Sequence, residues 1–223
     1  MSAFETHGFA IVPDAVSESR CELIASAMRQ DLDSGAPASR RWLSRPWCQE
    51  LAESLRANAD FEAMGIRSLV AVQCTLFDKS PLNNWLVSLH QDLSIPVKER
   101  VCDPSLSGWS TKDDMLFVQP PITVLQSLVA LRFHLDDCGS ESGALRVVPG
   151  SHQFGRLDMD RAAALREERG EVTASVSRGG VLAMRPLLLH ASSRATLPSS
   201  RRVLHFVFGP RSLPAGLRWA GVV

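Results

Sequence analysis

The chain has 223 residues, 45% hydrophobic and 22% charged, which suits one large domain with a proper core and excludes a disordered chain. Lys plus Arg equals Asp plus Glu at 24 each, so the formal net charge is zero and no global field draws nucleic acid or an anionic membrane. Five scattered cysteines without C-x-x-C spacing argue for reduced thiols in a cytoplasmic protein and against a disulfide framework or a zinc knuckle.

The N-terminus lacks the basic and apolar regions of a signal peptide, and no apolar run approaches the ~18 residues that span a membrane. Gly8 to Val12 reads as a short strand, broken by Pro13-Asp14. Ser17 to about Asp33 reads as an amphipathic helix with Leu23, Ile24, Ala27 and Met28 on its apolar face. Ser34 to Arg41 is loop-like. Pro46 suits a first helical turn, and that helix is predicted to run to about Asn58. Ser68 to Phe77 and Trp85 to His90 then read as strands. Cys102 to Gln119 is polar and is predicted to be one long loop, of the kind that is usually functional. Val124 to Leu135, Ala144 to Val148, Glu171 to Val176, Val181 to Met184, Leu187 to His190 and Val203 to Phe208 follow at strand length, with a helix over Asp160 to Glu168. Helices followed by many short strands predict an α+β domain spanning 1–223. Its helical part is about 15–60 and its β-sandwich or barrel core about 68–210.

Six histidines are present, two of them in H-x-D patterns: His90-Gln91-Asp92 and His134-Leu135-Asp136. Side chains at i and i+2 on a strand share a side, so such a motif offers an imidazole and a carboxylate to one metal. A second histidine from a distant strand completes a set that suits iron(II) and dioxygen chemistry, with positions left open for a bidentate oxo acid. His190 ends an apolar run, and Arg201 opens the strand that follows. If those strands are neighbours, the Arg201 guanidinium reaches back toward the metal and grips a carboxylate at two points. Spacing alone leaves either H-x-D motif open as the partner of His190. Gln73 faces the barrel interior and is either a co-substrate contact or a buried, hydrogen-bonded side chain. Asn84, Trp85, Arg132 and Trp109 are candidates for a substrate pocket. Arg132 needs an anionic partner. His205 reads as a satisfied strand histidine.

The segments Phe77-Asp-Lys-Ser-Pro-Leu-Asn-Asn-Trp85, Leu89-His-Gln-Asp-Leu-Ser-Ile95, Leu131-Arg-Phe-His-Leu-Asp-Asp-Cys138, Gly143-Ala-Leu-Arg-Val-Val-Pro-Gly-Ser-His152 and Leu187-Leu-Leu-His-Ala-Ser-Ser193 resemble the phytanoyl-CoA dioxygenase family. The resemblance runs from about Gly8 to Trp219. It implies a double-stranded β-helix (jelly-roll, cupin-like) fold, iron(II), 2-oxoglutarate as co-substrate, and O2, with ascorbate supportive in vitro. By motif it makes His90, Asp92 and His190 the metal ligands, and Arg201 and Ser192 the contacts to the far carboxylate of 2-oxoglutarate. Gln91 becomes a co-substrate or pocket candidate, and His134 and Asp136 become structural.

The activity implied is hydroxylation of a small molecule, with neither nucleic acid nor membrane as partner and succinate and CO2 released. The carboxylate of Asp92 argues against a halogenase, which needs that position small. No extended basic groove asks for a coenzyme A thioester. The alternatives are a metal-binding cupin-like isomerase and a catalytically silent ligand-binding protein on the same scaffold. Strand alternation puts Arg202 on the face opposite Arg201. Arg201→Ala is therefore expected to raise the Kd for 2-oxoglutarate roughly 10- to 100-fold, as loss of a charged hydrogen bond does. Arg202→Ala is expected to leave it unchanged, with both read by titration of the metal-loaded protein.

Overall fold

The computed structural model describes residues 2–32, 38–80, 82–196 and 200–223. The first quarter is mainly helical. Helices Glu18–Asp31 and Pro46–Ala57 lie within two residues of the predicted spans, with Pro46 in the first turn of the second. The short helix Ala3–His7 opens on a capping box of Ser2 and Glu5 and closes on Gly8 in a left-handed conformation.

A six-stranded antiparallel sheet orders Phe9–Val12, Val181–Met184, Val129–His134, Arg201–Gly209, Val70–Lys79 and Ala38–Ser39. The strand pleat sorts its residues. Leu204, Phe206 and Phe208 pack outward against Met28, Leu51, Leu55 and Phe61 of the helical layer. Each such buried side chain contributes about 1.5–3 kcal/mol relative to exposure. Their neighbours Arg201, His205 and Val207 line a cavity on the other face. A four-stranded sheet, Val172–Ala174, Leu145–Val147, His190–Ser192 and Val87–His90, faces the first. Leu145, Val147 and Leu188 on one side meet Ala130, Leu182 and Met184 on the other. Two facing antiparallel sheets are the arrangement expected of a jelly roll.

Three predicted elements need correction. The loop over 102–119 is instead a hairpin, Ser107–Lys112 with Met115–Gln119, in a small third sheet with Ile95–Val97. Its first strand is largely exposed and carries Gly, Ser, Thr and Lys, so no buried face left an alternating apolar pattern. Its turn places Asp113 and Asp114 at positive φ, 49° and 57°, the backbone that a two-residue hairpin turn demands and that Asp tolerates. The strand predicted over 124–135 is divided into a helix, Ile122–Gln126, and a strand, Val129–His134. An apolar run alone does not separate those two states. Arg185–Leu188 form a turn closed by Leu188 N–H to Arg185 O, and His190 begins a strand rather than ending one. Part of the loop predicted over 34–41 lies outside the described residues.

Arg202 turns away from the cavity. Its Nε and Nη2 donate to the two carboxylate oxygens of Asp136 at 2.8 and 2.6 Å. Because the strand ends at His134, the i, i+2 rule does not carry Asp136 to the His134 side. The second H-x-D motif is therefore split between cavity wall and outer surface.

Candidate metal centre

Backbone pairing assembles the site. His190 lies directly opposite His90 in the antiparallel register of Val87–His90 and His190–Ser192, and the two imidazole centroids are 4.2 Å apart. Just beyond the first strand, the Asp92 N–H donates to Pro186 O at 2.9 Å, which returns the carboxylate to the same spot. One potential ligand atom from each of His90, Asp92 and His190 lies within 4.8 Å of the others. The Nε2 atoms of both histidines are 3.8 Å from Asp92 oxygens. Each Nδ1 is 2.8–2.9 Å from a carbonyl two residues back, Ser88 O for His90 and Leu188 O for His190. A carbonyl only accepts, so each Nδ1 carries the proton and each Nε2 presents its lone pair inward. Two such nitrogens and one carboxylate fit an open-faced iron(II) site.

The electrostatics suit that use. Burial pushes His190 down to about 4, so its imidazole is neutral at pH 7. Burial also pushes the Asp92 carboxyl up, but the facing imidazoles of His190, His205 and His90, with Arg132, outweigh it and hold the group below its ordinary value. His205 is a neighbour that sequence reasoning assigned to the core. Its Nε2 is 3.9 Å from Asp92, and its Nδ1 sits 3.0 Å from Arg132 Nη1. Arginine only donates, so Nδ1 accepts and Nε2 carries the proton. His205 therefore offers no lone pair to a metal here.

The cavity of about 410 Å³ around these residues is lined by most of the predicted site: Gln73, Trp85, Gln91, Arg132, Ser192 and Arg201. Their hydrogen bonds distinguish them. Gln91 spends both amide hydrogens on Gly155 O and Leu187 O and accepts from Leu157 N; it braces the loops rather than facing a ligand. Gln73 donates to Thr75 Oγ1 at 2.9 Å. Arg201 Nη1 contacts Gly143 O, and its Nε has no partner among the described residues. Ser192 Oγ donates to Gly143 O at 2.9 Å.

Two pocket expectations fail. Asn84 does not line the cavity; its amide clamps the backbone N–H and C=O of Ala195. Trp109 packs into the apolar cluster of Ile95, Val118 and Leu125, beneath the Arg100 guanidinium. From that hairpin it is Lys112, Phe117 and Gln119 that reach the cavity. Sequence reasoning missed them because it read the segment as a loop, with no alternation to say which side chains face inward.

His134 is buried in the wall. Burial, with Arg132 and Arg201 beside it, pushes it down to about 3. Burial likewise takes His205 to about 3. Both stay neutral in the folded protein while the unfolded chain protonates near 6.5. The unfolded state thus binds more protons as the pH falls, and stability is lost from about 6.5 downward. Urea unfolding of the metal-free protein between pH 7.5 and 5 is expected to show this loss, about 1.4 kcal/mol per pH unit for each such histidine. The slope is expected to be shallower in His134→Gln.

The phytanoyl-CoA dioxygenase (PhyH) family profile matches residues 4–203. No curated protein matches the chain significantly. Among solved structures, HygX from Streptomyces hygroscopicus with nickel and 2-oxoglutarate bound is 21% identical. The match covers 99% of this chain and 93% of that one, with a TM-score of 0.62. EctD from S. alaskensis with 2-oxoglutarate and 5-hydroxyectoine is 17% identical over 93% and 74% of the two chains, with a TM-score of 0.69. The carbocyclase SnoK from nogalamycin biosynthesis is 18% identical over 93% and 81%, with a TM-score of 0.68. At these identities the likeness establishes the fold, the double-stranded β-helix.

Proposed function

The chain belongs to the phytanoyl-CoA dioxygenase family of non-haem iron- and 2-oxoglutarate-dependent oxygenases, and from that premise we propose that it hydroxylates a small molecule with release of succinate and CO2. In this reading His90, Asp92 and His190 hold iron(II), and Arg201 with Ser192 grips the far carboxylate of 2-oxoglutarate. The observation that carries it is the convergence of two inward lone pairs and a carboxylate within 4.8 Å, in a cavity that Arg201 also lines. An isomerase on this scaffold has no need of that buried guanidinium, and the intact ligand set counts against a silent binder. HygX and EctD, both with 2-oxoglutarate bound, support the co-substrate assignment by likeness of fold, and the nickel in HygX supports a divalent metal in such a site.

Iron(II), when bound, supplies the oxidation: dioxygen gives one oxygen atom to 2-oxoglutarate, which leaves as succinate and CO2, and one to the substrate. The chain's own part is binding and orientation. His90 and His190 are held in the ligating tautomer by the carbonyls two residues before them, Ser88 O and Leu188 O. Asp92 stays ionised among imidazoles. Phe77, Val87, Leu145 and Val207 give the cavity apolar walls that exclude water around the reacting groups. A volume of about 410 Å³ has to admit co-substrate and substrate together, which favours a small substrate over a coenzyme A thioester.

Succinate formation from 2-oxoglutarate, assayed with iron(II), ascorbate and air, tests the reading. Turnover is expected in the wild type and expected to vanish in Asp92→Ala, together with iron binding. Iron bound tightly with no succinate formed under any condition would sink the oxygenase reading and leave the isomerase or the silent binder.

A further inference from the structure

Lys79 is a buried cation with no task in the reading above. It is 1% exposed and sits on the inner face of its strand, in register with Arg201 across the sheet. Two like charges opposite one another in a sheet are destabilising, and burial makes the cost greater. Among the described residues no carboxylate lies within 4.0 Å of its Nζ. The ammonium instead donates to Ser192 Oγ at 2.7 Å and to Ser193 O at 2.6 Å, and lies 5.3 Å from the centre of the Trp85 ring.

The chemistry of that first bond is directional. An ammonium only donates, so Ser192 Oγ must accept from it, and the hydroxyl hydrogen must point elsewhere. Here it points to Gly143 O, the acceptor that Arg201 Nη1 also uses. The hydroxyl and Arg201 thus share one carbonyl, Lys79 donates to the same hydroxyl from behind, and Arg201 Nε is unpaired among the described residues. That is an excess of donors and positive charge that a carboxylate would satisfy.

We propose that Lys79 is a positioning residue for the co-substrate: it holds the Ser192 hydroxyl as a donor to the far carboxylate of 2-oxoglutarate and adds a second positive charge beside Arg201. The inference rests on the assignment of Arg201 and Ser192 to that carboxylate. Burial, then the facing charge of Arg201, pushes the Lys79 ammonium down to about 8, with Arg132 lowering it further and Cys138 opposing. Above that pH the free protein holds a neutral amine, which accepts a hydrogen bond and lets the Ser192 hydrogen turn inward.

Anaerobic titration of the iron(II)-loaded enzyme, followed by the charge-transfer absorption of the chelate, tests this with two ligands. 2-Oxoglutarate carries the far carboxylate, and 2-oxovalerate has the same chelating end with a methyl in its place. Wild type is expected to prefer 2-oxoglutarate, with a Kd that rises above pH 8. Lys79→Met is expected to raise the 2-oxoglutarate Kd roughly 10- to 100-fold, to abolish that pH dependence, and to leave 2-oxovalerate unchanged. An unchanged Kd for 2-oxoglutarate, or equal losses for both ligands, overturns the role of Lys79. If Lys79→Met does not fold, the wild-type pH profile decides: a 2-oxoglutarate Kd that tracks 2-oxovalerate through pH 8 to 9.5 overturns it. A wild type that binds 2-oxoglutarate no better than 2-oxovalerate overturns the parent assignment of Arg201 and Ser192 instead.

Discussion

The site depends on one backbone register, the antiparallel pairing that sets His190 opposite His90. Residues facing each other across a ladder have side chains within about 4.5–5.5 Å, so the pairing alone brings two imidazoles from remote parts of the chain to one point. A slip of one residue would turn His190 to the other face of its sheet and exchange it for Leu189 or Ala191. The register is held on both sides. Val147 pairs with His190 on the other flank, Leu189 N–H donates to the buried Ser151 hydroxyl at 2.8 Å, and Gln91 ties Leu187 to the 155–157 loop. Gln91, a co-substrate or pocket candidate by motif, is thus part of the frame that keeps the two histidines opposed.

The second organising feature is the polar inner face of the large sheet. Gln73, Thr75, Phe77 and Lys79 stand on one strand, Arg201 and His205 on the next, Arg132 and His134 on the third. Burial alone penalises every charge here. Burial, with the charge of Arg201 beside them, lowers Arg132 to about 10 and Lys79 to about 8. Asp92 is the acidic residue among those lining the cavity, so the wall stays cationic overall. A dianionic oxo acid is the natural complement of such a wall. The protein tolerates the desolvation because the outer face of the same strands packs Leu204, Phe206 and Phe208 against the helices.

Small hydrogen-bonding details divide equivalent residue types into different jobs. Three histidines surround Asp92, yet two present lone pairs and the third, His205, presents a proton. The difference is only whether Nδ1 meets a carbonyl or a guanidinium. Arg201 and Arg202 are adjacent and chemically identical, and the pleat gives one to the cavity and the other to Asp136.

What the sequence determined by itself was the local and the periodic: the helices begun near Ser17 and at Pro46, the strands with a buried face, the opposition of Arg201 and Arg202, and the H-x-D and PGSH motifs whose resemblance pointed to fold and chemistry. These are legible because period and motif are properties of neighbouring residues. What only the tertiary structure decided was convergence and hydrogen-bond state. The hairpin over 107–119 was hidden because an exposed strand buries no face and so leaves no pattern. Asn84 and Trp109 left the pocket, and Phe77, Lys112, Phe117, His205 and Lys79 entered the site or its wall, because which side chain meets which ligand depends on cross-strand partners tens of residues away. The same distance hid the proton on His205 and the orientation of the Ser192 hydroxyl: each is set by the single cation placed beside it, and that placement exists only once the sheets have closed on each other.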